Sequence, residues 1–489
     1  MQFVSLKFLC FLFAVIAVNF ILPKKIRYIW LLAASWAFYF IASDKFLILL
    51  VLVTLITYLS GRFIEKNKGE KKAKTMLICT IVLLVGLLGY FKYTGFLLDT
   101  VKSIQGLLKL PESEFVVNII LPVGISFYLF QAIGYLADVY MGRIEAEKNY
   151  LMLALFISFF PQITSGPIER AGNMLPQYKE PAVFSYDAMR DGLLLMMWGY
   201  FQKMILADRL SVLVNTVYAS PKSFGGTTVF LATVFYTFEI YCDFAGYSNI
   251  AVGSARIMGI KLINNFEYPY LTGSIAEFWR KWHISLSTWL KDYIYIPLGG
   301  NRKGFARKLI NIMIVFAVSG LWHGAAWTFV VWGLLHGLYQ VIGILLKPAR
   351  DKVVEVLHVD REGFSHRLFK IIVTFLLVNL GWVFFRADSF AKAMLVIKKS
   401  FSPTPWVLVD GTLFNLGLSE PDVRLLFMGL ILLIAVDICN AKNIVVRDVI
   451  TKQSLPLRWI IYICAVVFIV TCGIWGPGYD AASFIYSSF

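Results

Sequence analysis

The chain is 489 residues long, with 58% hydrophobic and only 16% charged residues, where soluble globular proteins carry roughly 25% charge. That balance excludes a soluble fold and leaves a polytopic membrane protein, whose net charge of +16 its loops must explain.

A membrane-spanning helix takes about 20 largely apolar residues in a row. Apolar runs bounded by charges or turn residues fall, in chain order, at 5–22, 28–43, 46–63, 76–91, 116–140, 150–161, 190–206, 227–248, 309–322, 326–346, 371–387, 424–438 and 458–475. The first is followed by Pro23-Lys24-Lys25 and not by a small-residue cleavage site, so it is expected to stay as a span. The runs near 150 and 309 are shorter than the ~17 residues of a normal crossing. They predict re-entrant or broken helices, whose backbone must be satisfied by protein or by a polar cavity. The pattern as a whole predicts an all-α bundle of about 11 transmembrane helices with re-entrant or interfacial pieces.

The bases are unevenly spread. Lys24, Lys25 and Arg27 occupy the first loop, and Arg62, Lys66, Lys68, Lys71, Lys72 and Lys74 crowd the third, while the second offers only Lys45. Lys/Arg bias in short loops sets orientation, so the odd loops are expected in the cytoplasm and the N-terminus outside. The stretches 264–308, 347–370 and 442–458 then fall on the cytoplasmic side. Topology accounts for most of these charges, and a cytoplasmic anionic ligand is the additional reading. The six cysteines form no CxxC pair and have no companion histidines, so packed thiols are expected and no metal site.

Histidine is scarce, and an ionisable group inside a span is a functional candidate because burying it is costly. His323 stands in Ser319-Gly320-Leu321-Trp322-His323-Gly324-Ala325-Ala326-Trp327, between two apolar runs, with glycines that permit a break and tryptophans that can wall a cavity. A neutral imidazole is the natural proton acceptor for acyl transfer to a hydroxyl; a hydrogen-bonded packing histidine is the plainer alternative. Further upstream, Trp282, Leu286, Trp289 and Tyr293 recur at three- and four-residue spacing, predicting one aromatic helical face. The charges Glu277, Arg280, Lys281, Lys291 and Asp292 keep this segment from being a simple span, so it should lie in the interface or dip into the bundle. It reads either as a surface helix or as the floor for a cytoplasmic acyl donor, with Arg280 and Lys281 near the donor's phosphates. Glu239 and Asp243 share one helical face, and structural pairing with a base such as Arg256 is the expectation. Gln131, Asp138, Gln162, Ser165, Glu169 and Arg170 mark a further polar seam, and several seams in one bundle point to a tunnel.

The combination of Trp279-Arg280-Lys281-Trp282-His283-Ile284-Ser285-Leu286 with Leu321-Trp322-His323-Gly324 resembles the membrane-bound O-acyltransferases, in particular the bacterial branch containing the membrane component of alginate O-acetylation. Phe159-Phe160-Pro161-Gln162, Ser165-Gly166-Pro167-Ile168, Asp243-Phe244-Ala245-Gly246-Tyr247-Ser248, and Asn265-Phe266 with Pro269-Tyr270 fit the same family. The resemblance implies a ring of tilted and broken helices around a central funnel and tunnel. It treats 1–489 as one integral-membrane acyltransferase domain, with N-terminal helices at 1–110, the catalytic core at 111–350 and C-terminal helices at 351–489. It matches His323 to the family's essential histidine and His283 to its second one, with Trp279, Arg280, Lys281, Trp282, Trp322 and Asp243 as candidate donor-binding residues.

The implied donor is acetyl-CoA or an acyl-carrier thioester, with no bound cofactor or metal, and the implied acceptor is an exported or cell-wall polysaccharide. An extracytoplasmic SGNH-hydrolase-like partner and membrane lipids are the expected companions, with no nucleic acid. The expected location is the bacterial cytoplasmic membrane. Alginate-type, cellulose-type and peptidoglycan-type O-acetylation and teichoic-acid D-alanylation stay open within the family. The tail Ser483-Phe484-Ile485-Tyr486-Ser487-Ser488-Phe489 resembles the aromatic tail of this branch, in which Tyr486 either relays an acyl group or anchors at the interface. Outside the family the competing class is a proton-coupled transporter, which inverted repeats would mark, and none is visible.

Overall fold

The computed structural model describes residues 2–111, 119–164 and 166–476; Ser165 and Tyr486 lie outside them. Among the described residues the chain is helical with no strand. Seven stretches among the described residues are long and apolar enough to cross a membrane: Lys24–Lys66, Lys71–Leu107, Gly226–Ile257, Phe305–His323, Trp327–Leu345, Phe364–Arg386 and Leu455–Cys472. The first contains two helices, Arg27–Ser43 and Leu47–Lys66, separated by the turn Asp44–Phe46 that carries Lys45. The apolar helix Leu6–Ile21 is shorter. The run at 309–322 corrects one expectation. It belongs to a 19-residue helix, because Phe305–Lys308 adds a full turn at its start, and it is not broken.

One compact unit holds the residues up to Leu195 with Ala251–Ile263. Here the short run near 150 does form a broken helix. Tyr150–Ser158 is buried from Leu153 onward, the chain departs from helix at Phe159 (φ −54°, ψ 118°), and it resumes as the single turn Phe160–Ile163. Such a break needs partners for its backbone groups. The Ser35 hydroxyl accepts the Phe160 amide at 3.1 Å, and Gln162 Nε2 donates to the Phe156 carbonyl at 2.6 Å. The polar seam of this unit is largely spent on local pairing. Asp138 meets Arg143 at 3.0 Å, and Glu169 accepts from Asn173 Nδ2 at 2.8 Å and from the Ile263 amide at 2.6 Å.

The second unit holds Met196–Ile250 and the chain from Asn264 onward. Its central hairpin joins Phe305–His323 to Trp327–Leu345. Small residues let helix backbones approach closely in a membrane, and this hairpin depends on two of them. A Cβ on Gly320 would lie 2.4 Å from the Phe329 carbonyl oxygen, and one on Gly333 would lie 2.3 Å from that of Phe316. Both obstacles are backbone atoms that cannot swing aside. Replacing Gly333 with leucine is therefore expected to cost about 1–3 kcal/mol of stability or more. The measurement is thermal unfolding in detergent; an unchanged transition would mean the hairpin is not packed this way.

Candidate active site

The segment 274–290 is built as two short helices with a designed break. Ser274 caps the first, accepting the Glu277 amide at 3.2 Å, while Glu277 reaches back to the Gly273 amide at 3.0 Å, a variant of the reciprocal capping box. This helix, Ile275–Lys281, stops at Trp282, and His283 adopts the left-handed conformation (φ 42°, ψ 55°) before Ile284–Leu290 begins. The single aromatic helical face predicted from the spacing is corrected accordingly. Left-handed backbone costs a non-glycine residue roughly 1–2 kcal/mol, and Asn265 holds it in place. The Asn265 carbonyl accepts the Ile284 amide at 3.0 Å, and its side-chain oxygen accepts the Ser285 amide at 3.3 Å. The result is that Trp282 and His283 are both fully buried.

His323 ends the first arm of the hairpin and is also buried. Trp322 and Trp332 meet its ring edge-on at 5.0 and 4.9 Å, and Phe385 does so at 5.5 Å. His283 is held by the edge of Phe244 at 4.7 Å and lies 5.9 Å from Trp322. The two imidazole centroids are 6.3 Å apart. Even with a nitrogen of each ring on the line between centroids, that gap exceeds a direct hydrogen bond, so the two rings are neighbours that do not bond each other directly. Burial pulls the His283 imidazole down to about 3, which keeps it neutral.

Of the predicted tryptophans, Trp322 packs against both imidazoles, while Trp279 and Trp282 belong to the aromatic cluster around them, Trp279 lying 5.7 Å from Trp332. Trp279 Nε1 donates to His336 Nδ1 at 3.3 Å, and Trp282 lies 4.9 Å from Trp382, which in turn stacks on Trp332 at 5.6 Å. Arg280 and Lys281 are not brought there. Arg280 is exposed, and Lys281 is committed to Glu277 at 3.2 Å and to the face of Tyr268 at 3.9 Å.

Asp243 does not pair with Arg256 as expected. Its partner is Lys203, whose Nζ lies 2.6 Å from Asp243 and 2.8 Å from Asp208, all three side chains being at most 2% exposed. Lys203 sits in the π-helical turn Phe201–Ala207. The wider turn carries residues five apart toward one face, which an α-helix would not do. Among the described residues no cluster of three or more His, Cys, Asp or Glu is arranged to hold a metal ion.

Sequence reasoning missed Lys203, Trp382 and Phe385, and noted Asn265 only as part of the family likeness without its role at the His283 turn. Of the three missed, Lys203 carried a signal, being a charge inside the apolar run 190–206.

Residues 144–377 match the profile of MBOAT, the membrane-bound O-acyltransferase family, and contain both histidines. A probable alginate O-acetylase of Azotobacter vinelandii is 36% identical over 390 residues, covering 79% of this chain and 75% of that protein. A peptidoglycan O-acetyltransferase of Helicobacter pylori is 34% identical over 418 residues, covering 79% and 75%. A teichoic acid D-alanyltransferase of Bacillus subtilis is 29% identical over 232 residues, 45% of this chain and 58% of that protein.

Proposed function

The chain belongs to the membrane-bound O-acyltransferase family, and from that premise we propose that it moves an acetyl group from a cytoplasmic thioester across the membrane for O-acetylation of an exported or cell-wall polysaccharide. The observation that carries the reading is the pair of buried histidines 6.3 Å apart inside an aromatic wall. His323 accepts the proton of the acceptor hydroxyl as its oxygen attacks the thioester carbonyl. His283, on the left-handed turn, positions the donor or stabilises the developing oxyanion. The tryptophans keep water from competing as the nucleophile. A thioester is already an activated acyl group, so the proposed step asks only for base and oxyanion support.

The reading places the protein in the bacterial cytoplasmic membrane with its N-terminus outside. The bases of 264–308 would lie near the donor entrance, and an extracytoplasmic SGNH-hydrolase-like protein would complete transfer to the polymer. Acyl transfer from a carrier protein, as in D-alanylation, is the second reading, supported by the shorter likeness to the teichoic acid D-alanyltransferase.

The test is to incubate purified protein with acetyl-labelled CoA and, separately, with a charged carrier protein, and to follow thiol release. Release from acetyl-CoA that disappears in a His323 variant is expected. Release from the carrier alone would reverse the order of the two readings, and release from neither would end both.

A further inference from the structure

An indole N–H donates a hydrogen bond and cannot accept one, and leaving it unpaired in the interior is destabilising. The aromatic cluster around the histidines treats its indoles unequally. Trp279 Nε1 has an acceptor, His336 Nδ1 at 3.3 Å. Because the indole must be the donor, the proton of that neutral imidazole sits on Nε2. The N–H groups of Trp282, Trp332 and Trp382 have no such acceptor among the described residues, although all three side chains are 0% exposed.

These three rings form one line of contacts between the two histidines. Trp282 immediately precedes His283 and lies 4.9 Å from Trp382, which stacks on Trp332 at 5.6 Å. Trp332 in turn meets His323 at 4.9 Å. The Trp332 and Trp382 planes are 19° apart, so each N–H lies nearly parallel to the other ring and neither can donate to the other's π face. The two tyrosines beside Trp282 direct their hydroxyl protons elsewhere, Tyr241 to Asp437 at 3.2 Å and Tyr270 to the Thr237 carbonyl at 2.7 Å.

We propose that the N–H groups of Trp282, Trp332 and Trp382 bind the carbonyl oxygens of the donor's thioester arm. The inference rests on the acyl-transfer reading and deepens it. A group of buried donors selects a guest that brings acceptors. Water matches it poorly, because its own hydrogens would then need acceptors in the same place. A carbonyl oxygen accepts and has no proton to place. Acetyl-CoA and a charged carrier present the same pantetheine arm, with the thioester carbonyl at its end and amide carbonyls along it. Trp332, against His323, serves the thioester end, and Trp382, one ring further away, serves an amide.

The experiment uses the full-length protein in detergent and has two parts. In the first, ultraviolet resonance Raman difference spectra follow the indole hydrogen-bond marker of the wild type as S-propyl-pantetheine binds, an unreactive thioether that keeps both amide carbonyls. A shift toward hydrogen-bonded indole is expected, and no shift overturns the site. In the second, thiol release by the wild type and Trp382→Phe is compared on S-acetyl-pantetheine and on S-ethyl thioacetate, which lacks the amides. The variant keeps an aromatic ring and loses the N–H.

Its KM for S-acetyl-pantetheine should rise about tenfold with kcat little changed, and the preference for that substrate over S-ethyl thioacetate should fall by the same factor. An equal loss on both substrates means that Trp382 only packs, which overturns its assignment to an amide. Should the variant unfold, the wild-type spectra decide. Wild-type protein that releases no thiol from acetyl-CoA or from a charged carrier overturns the acyltransferase reading, whereas an active wild type without the indole shift overturns the carbonyl site alone.

Discussion

His323→Ala is expected to reduce thiol release from the acyl donor by about 10²–10⁴-fold, the contribution of a positioned general base, and to remove O-acetyl groups from the polymer in cells. The ring is buried against Trp322, Trp332 and Phe385, so truncation also leaves a void. His323→Gln separates the two effects, because it keeps most of the volume and a hydrogen-bonding end but cannot act as a base near neutral pH. Both variants should be inactive, with the Gln protein closer to wild type in melting temperature. Normal acetylation in cells expressing either variant at wild-type levels would remove His323 from the mechanism.

Lys203→Met is the change expected to cost most in stability. The ammonium lies within 2.8 Å of two aspartates in surroundings that exclude water, and deleting one member of a buried ionic group leaves an uncompensated charge, at about 3–5 kcal/mol. Lowered expression and a lower melting temperature in detergent are the readouts. A second substitution, Asp243→Asn, removes one of the stranded charges and should recover part of the loss. If the double variant were as unstable as the single one, the penalty would come from packing of the long side chain in the π-helical turn and not from charge.

The helical membrane architecture was legible because it is written in local composition: long apolar runs, with bases between them. His323 stood out for a similar reason, as a rare ionisable residue between glycines and tryptophans at the junction of two runs. The break at His283 was not legible. The spacing of Trp282, Leu286, Trp289 and Tyr293 is compatible with one continuous helix, and what interrupts it is Asn265, which reaches the two amides after the histidine from an upstream loop.

Asp243 does pair with a base, as expected, but with a different one from the example offered. Arg256 is on the same helix and so comes first to mind, yet Lys203 arrives from a π-helical turn that no residue periodicity announces. The longer extent of Phe305–His323 was hidden because Arg307 and Lys308 interrupt the apolar run without interrupting the helix. In each case the decisive partner was remote or polar, where periodicity carries no information.

The backbone at His283 also affects how this position should be mutated. Histidine, asparagine and aspartate enter the left-handed region several-fold more often than other non-glycine residues, and alanine does so at a conformational cost. An alanine scan would therefore conflate loss of the imidazole with a shift of the chain that repositions Trp282 and Phe244. His283→Asn keeps the dihedral preference and discards the ring, which makes it the informative substitution.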